Sequence, residues 1–249
     1  MSARPYPDGF SVMELLVAMT ITLSLAAALA QAVGPARAAF ERVPAEADVQ
    51  QRGRAATDLL AEAVRSAAEI TLTDRDASGG YRSMSVMVPL VHGAQGILAL
   101  DQATPGGTLS LDAVGCPDIK DVCGFTPGAV AGISDGIDSE VFMVAAVHVG
   151  ARRLTPDRAF ARIYAAGSTV AEVDAATFRL AQQADGSRSL VRETAAGAIQ
   201  PAVDFLGALT FSPHSDRIDI AVTVWPASDS LRGVMPERVF RSSIRRRRS

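Results

Sequence analysis

A chain of 249 residues, 48% of them hydrophobic, is long and apolar enough to bury one globular core of ordinary size, which excludes wholesale disorder. The net charge of −3 leaves no overall basic field for nucleic acid, and the charges are spread except at Arg245-Arg246-Arg247-Arg248. Low aromatic content, with Gly and Pro recurring through the second half, fits short strands joined by turns and not a bundle of long helices.

From Leu15 to Ala36 no charge appears, and the residues are mainly Leu, Val, Ile, Ala, Met and Thr. At about 1.5 Å per residue this run crosses a hydrocarbon core of roughly 30 Å. A secretory signal peptide is the competing reading. It fits poorly, because Arg4 is the only cation before the run and Glu14 lies inside its apolar start. A carboxylate in hydrocarbon costs at least a few kcal/mol unless it is protonated or paired, so Glu14 calls for a partner.

The stretch Gly9-Phe10-Ser11-Val12-Met13-Glu14-Leu15-Leu16-Val17-Ala18 resembles the cleavage and methylation motif of type IV pilins and type II secretion pseudopilins. The resemblance implies a leader of residues 1–9, a prepilin peptidase that cuts between Gly9 and Phe10, and methylation of the new N-terminus on Phe10. It also implies that Glu14 aligns subunits during assembly. The amine created on Phe10 of a neighbouring subunit is then the missing partner of the Glu14 carboxylate. A glycine at the cut offers the peptidase the least side-chain obstruction.

Residues 10–36 are thus expected to form the membrane and assembly helix, and residues 37–249 a head in the periplasm. Pro35 and Pro44 predict a bend or break, and Gly53 a weak point. An amphipathic helix is expected from about 46 to 70, with Leu59, Leu60, Ala63, Val64, Ala67 and Ile70 on its apolar face. Beyond it the sequence predicts strands at 84–88, 97–100, 108–111, 140–149, 159–164, 176–181, 189–192, 208–212 and 217–225. The clearest is Arg217 to Trp225, where Ile218, Ile220, Val222 and Val224 alternate with Asp219, Ala221 and Thr223. The fold class that follows is α+β, a long N-terminal helix packed on an antiparallel sheet.

The second half is similar to PilW-type minor pilins and, less closely, to J-type minor pseudopilins. Ser134 to Val144, Leu190-Val191-Arg192 followed by Gln200-Pro201-Ala202-Val203, and Phe240-Arg241-Ser242-Ser243-Ile244 carry the likeness. It implies a structural, non-enzymatic subunit without cofactor. Its implied partners are the prepilin peptidase, other minor and major pilins or pseudopilins, and an inner-membrane assembly platform, with nucleic acid not expected among them.

Other chemistries compete at a few positions. Gly132-Ile133-Ser134-Asp135-Gly136 matches the G-x-S-x-G nucleophile elbow of serine hydrolases, which requires a strand-to-helix turn, whereas a buried strand is expected after it. Asp135, Asp138 and Glu140 offer oxygen ligands to Ca²⁺ without EF-hand spacing. His92, His148 and His214 are isolated, and no zinc ligand set accompanies them. Cys116 and Cys123, the only cysteines, close a small loop as a disulfide if the head is exported, whereas free thiols would argue against export. The Arg245 to Arg248 run reads first as a solvated tail, with a salt-dependent contact to DNA or anionic lipid as the alternative.

Overall fold

The computed structural model describes residues 11–112, 122–227 and 235–245, with the backbone alone at 34–39 and 41. By internal contacts the chain forms two compact units, Met1–Asp48 and Val49–Ser249.

The helix α1 (Val12–Ser66) supplies the described structure of the first unit and the opening residues of the second. It is the long N-terminal helix expected, continuous from the apolar run into the amphipathic stretch, and it does not break at Pro35 or Pro44, where the sequence predicts a bend or break. Each proline forfeits one backbone hydrogen bond, a local cost of about 3 kcal/mol, while the turns on either side keep theirs. The helix also stops earlier than residue 70. Its last turn is closed by Ala67 N–H to Ala63 O at 3.1 Å, and the Ser66 hydroxyl donates to Glu62 O at 2.8 Å. The sequence Ile70-Thr71-Leu72-Thr73 then favours extended backbone, because β-branched side chains crowd a helix turn and fit a pleat. Ile70 therefore lies in strand β1 (Glu69–Arg75) and not on the helix.

The second unit continues in strands β2 (Tyr81–Pro89), β3 (Gln95–Ile97), β4 (Leu109–Ser110), β5 (Val130–Ser134), β6 (Ser139–His148), β7 (Arg153–Pro156), β8 (Thr169–Gln182), β9 (Arg188–Thr194), β10 (Ile199–Val203), β11 (Leu206–Pro213), β12 (Arg217–Val224) and β13 (Arg238–Arg245), with a single 3-10 turn at Val149–Ala151 among the described residues. Every described pairing is antiparallel. The main path runs β13-β12-β11-β2-β8-β5-β6-β7-β4, with β1 beside β2, β3 and β9 beside β8, and β10 beside β9. The α+β class with an antiparallel sheet is therefore as expected.

Two apolar clusters fill this unit. In the first, Val49, Ala56, Leu60, Ala61, Val64 and Ala67 pack on β-strand residues such as Met84, Phe178, Leu190, Phe211, Ile218, Ile220 and Ile244. Spacings of three and four place these helix residues on one face. Gly53 belongs to the same face: a Cβ there would stand 2.2 Å from the Phe240 ring, so only hydrogen fits. The second cluster gathers Leu98, Leu109, Leu111, Phe125, Ile133, Phe142, Leu154, Phe160 and Tyr164 without a helix. Strand β8 serves both, giving Val170 to the second cluster and Ala176 and Phe178 to the first.

Residues 159–164, expected as a strand, are irregular. Phe160 stacks edge-on between Phe142 and Tyr164, at centroid distances of 5.3 and 5.7 Å. The backbone N–H groups of Ala161 and Tyr164 are taken by side chains, the Glu140 carboxylate and Gln102 Oε1, both at 3.0 Å. Side chains thus replace the neighbouring strand that a ladder needs.

Candidate assembly helix

The N-terminus of α1 is organised by Ser11. Its hydroxyl accepts the Met13 N–H at 3.3 Å, and its carbonyl accepts the Leu15 N–H at 3.1 Å. Ser11 is therefore the N-cap, and Glu14 falls three residues later in the first turn, the Ser-x-x-Glu spacing of a capping box. A carboxylate here also faces the positive end of the helix dipole. Glu14 stands out in the sequence by its charge, whereas Ser11 is marked only by the Ser-x-x-Glu spacing.

From Val12 to Val33 the helix has a mean hydropathy of 2.1 over 22 residues, and none of its most apolar window is buried among the described residues. At about 1.5 Å per residue it is about 33 Å long, matching a hydrocarbon core. Glu14 is the only ionisable side chain in it. The hydroxyls of Thr20, Thr22 and Ser24 donate to the carbonyls of Val17, Ala18 and Thr20 at 2.9, 2.7 and 2.7 Å. Their polar atoms are thereby satisfied within the helix, the condition hydrocarbon imposes. Gly9 and Phe10 lie outside the described residues.

Cys123 is disulfide-bonded, and Cys116, the only other cysteine of the sequence, lies outside the described residues. Cys123 is half-buried against the second cluster, and a Cβ on Gly96 would come within 3.0 Å of its sulfur.

The G-x-S-x-G stretch forms a β-hairpin: β5 ends at Ser134 and β6 begins at Ser139, paired back with it. Ser134 Oγ accepts the Gly136 N–H at 3.1 Å and donates to Asp138 O at 3.3 Å, while Gly136 adopts φ +85°. This is a strand-to-strand turn, where a nucleophile elbow needs a strand-to-helix turn. Asp135 and Asp138 clamp the two guanidinium nitrogens of Arg162, and Glu140 accepts from Ala161 N–H and the Tyr164 hydroxyl. Burial, reinforced by the Glu140 carboxylate, pushes the Tyr164 phenol up to about 12. The three acids are thus engaged by cation, amide and phenol. Among the described residues no group of three or more His, Cys, Asp or Glu is disposed to hold a metal ion.

His148 pairs with the Thr155 hydroxyl at 3.1 Å, and His214 with Asp219 at 2.9 Å. The Ser243 hydroxyl foremost, then His214 and Arg217, hold the Asp219 carboxyl below its usual range. On the sheet, β1 to β9 align Thr71, Ser85, Thr177 and Glu193 in one cross-strand row, with Ser85 and Thr177 hydroxyls 2.8 Å apart. That row lines a groove of about 460 Å³ whose other wall is Val141 to Met143 of β6.

Fold and helix together define an α+β protein with an N-terminal apolar helix of membrane-spanning length and a large antiparallel sheet. No family model, curated protein or solved structure matches the chain.

Proposed function

We propose that this chain is a minor-pilin-like structural subunit, released from residues 1–9 by a prepilin peptidase and methylated on Phe10. In this reading the helix from Val12 to Val33 is held in the inner membrane, with the head in the periplasm, until the subunit enters a type IV pilus or the related pseudopilus of type II secretion.

The observation that carries the reading is Glu14. It is the single ionisable side chain in an apolar helix segment whose most apolar window is exposed among the described residues. A carboxylate in that setting is stabilised by an opposite charge, and cleavage after Gly9 creates an amine four residues before it. In a bundle of such helices the amine of one subunit meets the carboxylate of the next. A disulfide at Cys123 agrees with export to an oxidising compartment.

Co-expression with a prepilin peptidase and intact-mass analysis tests the reading. The expected product lacks Met1–Gly9 and carries one added methyl group, and replacing Gly9 by a bulky residue abolishes it. Glu14→Gln is expected to be processed normally yet fail to co-purify with pilin partners. An intact Met1, or cleavage near Ala30 as for a secretory signal, overturns the proposal.

A further inference from the structure

Met84, Met87, Met143 and Met235 belong to the second unit, and they differ in access. Met84 is fully buried in the first cluster and Met235 is 9% exposed, whereas Met87 and Met143 are half-buried. The latter two line the groove of about 460 Å³ on the sheet.

Met87 has a particular seat. A Cβ on Gly132 would collide with the Met87 Sδ and stand 3.3 Å from Val173 Cγ1, so the thioether rests on bare glycine backbone beside a buried valine. Gly132 lies in β5 and Met87 in β2; each strand pairs with β8, and neither pairs with the other. The Met87 side chain therefore packs together two strands that no described backbone hydrogen bond joins. It is also reachable from solvent, because it lines a second depression of about 480 Å³ that Gly132 and Val173 share. A thioether is apolar, polarisable and oxidisable, and its susceptibility follows exposure.

We propose that Met87 is a site of modification by peroxides, and that its sulfoxide loosens the joint between β2 and β5. The sulfur gives an electron pair to one oxygen of hydrogen peroxide and the O–O bond breaks. The departing hydroxide takes the proton from the new S–OH group and leaves as water, so sulfur is oxidised and peroxide reduced by the same electron pair. The product carries a polar oxygen where a lone pair stood. Val173 and the Gly132 Cα offer that oxygen no conventional donor, and the Ser85 and Thr177 hydroxyls of the groove already bond each other at 2.8 Å. The oxygen finds its donors in solvent, which draws the sulfur off Gly132 and leaves Val173 underpacked. Met84, three residues earlier in β2, faces the first cluster and is shielded. Met143 shares the groove but is not among the atoms nearest Gly132, so its oxidation leaves this joint intact. The inference does not depend on leader cleavage or on assembly.

Hydrogen peroxide titration of the full chain in neutral detergent micelles, followed by peptide mass mapping and thermal unfolding, tests it. Met87 should gain the mass of one oxygen while Met84 remains unmodified, and Tm should fall by at least about 2 °C. Methionine sulfoxide reductases, supplied as the pair that covers both epimers, should remove the oxygen and restore Tm. Met87→Leu, which nearly conserves volume, should make Tm indifferent to peroxide, whereas Met143→Leu should leave the loss in place. Should Met87→Leu not fold, the reductase arm decides, because recovery of Tm must follow loss of oxygen from Met87 and not from Met143. Modification of Met84 ahead of Met87, oxidation of Met87 with Tm unchanged, or a loss that persists in Met87→Leu overturns the proposal.

Discussion

Two stretches of the same helix meet opposite fates. Residues 12–33 are apolar nearly all round and lie exposed, whereas residues 49–66 carry fewer apolar side chains and bury a full stripe of them. Val49, Ala56, Leu60 and Val64 face the sheet, while Arg54, Asp58, Glu62 and Arg65 face outward. Arrangement decides the environment a helix needs, and total hydrophobicity does not. A helix with one apolar stripe is satisfied by one sheet, but a helix apolar on every side needs an apolar surrounding on every side.

The sharpest way to break this contrast is to truncate one leucine in each stretch. Leu60→Ala, at a fully buried position, should lower the unfolding free energy by about 2 to 5 kcal/mol in chemical denaturation. Leu29→Ala, 59% exposed, should stay within about 0.5 kcal/mol. Comparable losses at the two sites would refute the distinction.

Gly53 probes how closely the buried stripe fits. The added methyl of Gly53→Ala meets the Phe240 ring, so overpacking should cost about 1 to 3 kcal/mol despite the better helix propensity of alanine. In a Phe240→Ala background the same substitution should become neutral or stabilising, and a double-mutant cycle measures the coupling.

Tyr164 extends the contrast to a polar group held by the helix-free cluster. Its phenol ionises near 10.0 when unfolded and at about 12 when folded. Between those values the unfolded chain gives up a proton that the folded chain keeps, so the contribution present below 10.0 is lost as pH rises towards 12. Stability measured across that window should fall less steeply in Tyr164→Phe, and identical slopes would show that the fold does not raise the phenol's ionisation. Smallest of all, Ser134→Ala in the exposed hairpin turn should change stability by no more than about 0.5 kcal/mol.

Much of this architecture was legible because period and composition coincide. The alternation from Arg217 to Val224 matches β12, and the apolar spacing of Leu60 and Val64 matches the buried helix face. Residues 69–75, 130–134, 153–156, 199–203 and 238–245 were not read as strands. Several are edge-like or short: β10 shows four exposed residues before Val203, so burial imprints no alternation on it. Pro35 and Pro44 predict a bend or break by a local rule, but helix-forming neighbours carry the element through on both sides. On the N-terminal apolar helix, Glu14 stands out by its charge. The Arg162 clamp on Asp135 and Asp138 does not, since 24 to 27 residues separate its partners and only the folded hairpin joins them.

Strand β8 bears on how the head is made. Its fourteen residues hydrogen-bond to β2, β3, β5 and β9, and it places side chains in both clusters. Residues 69–164 can already pair as β1 with β2 and as β5-β6-β7-β4, but until residues 169–182 are available β2 and β5 lack the strand that joins them. The two halves of the sheet are thus expected to be joined late, at the slow pace of long-range strand pairing, and a fragment ending before Thr169 to lack the strand that links β2 to β5.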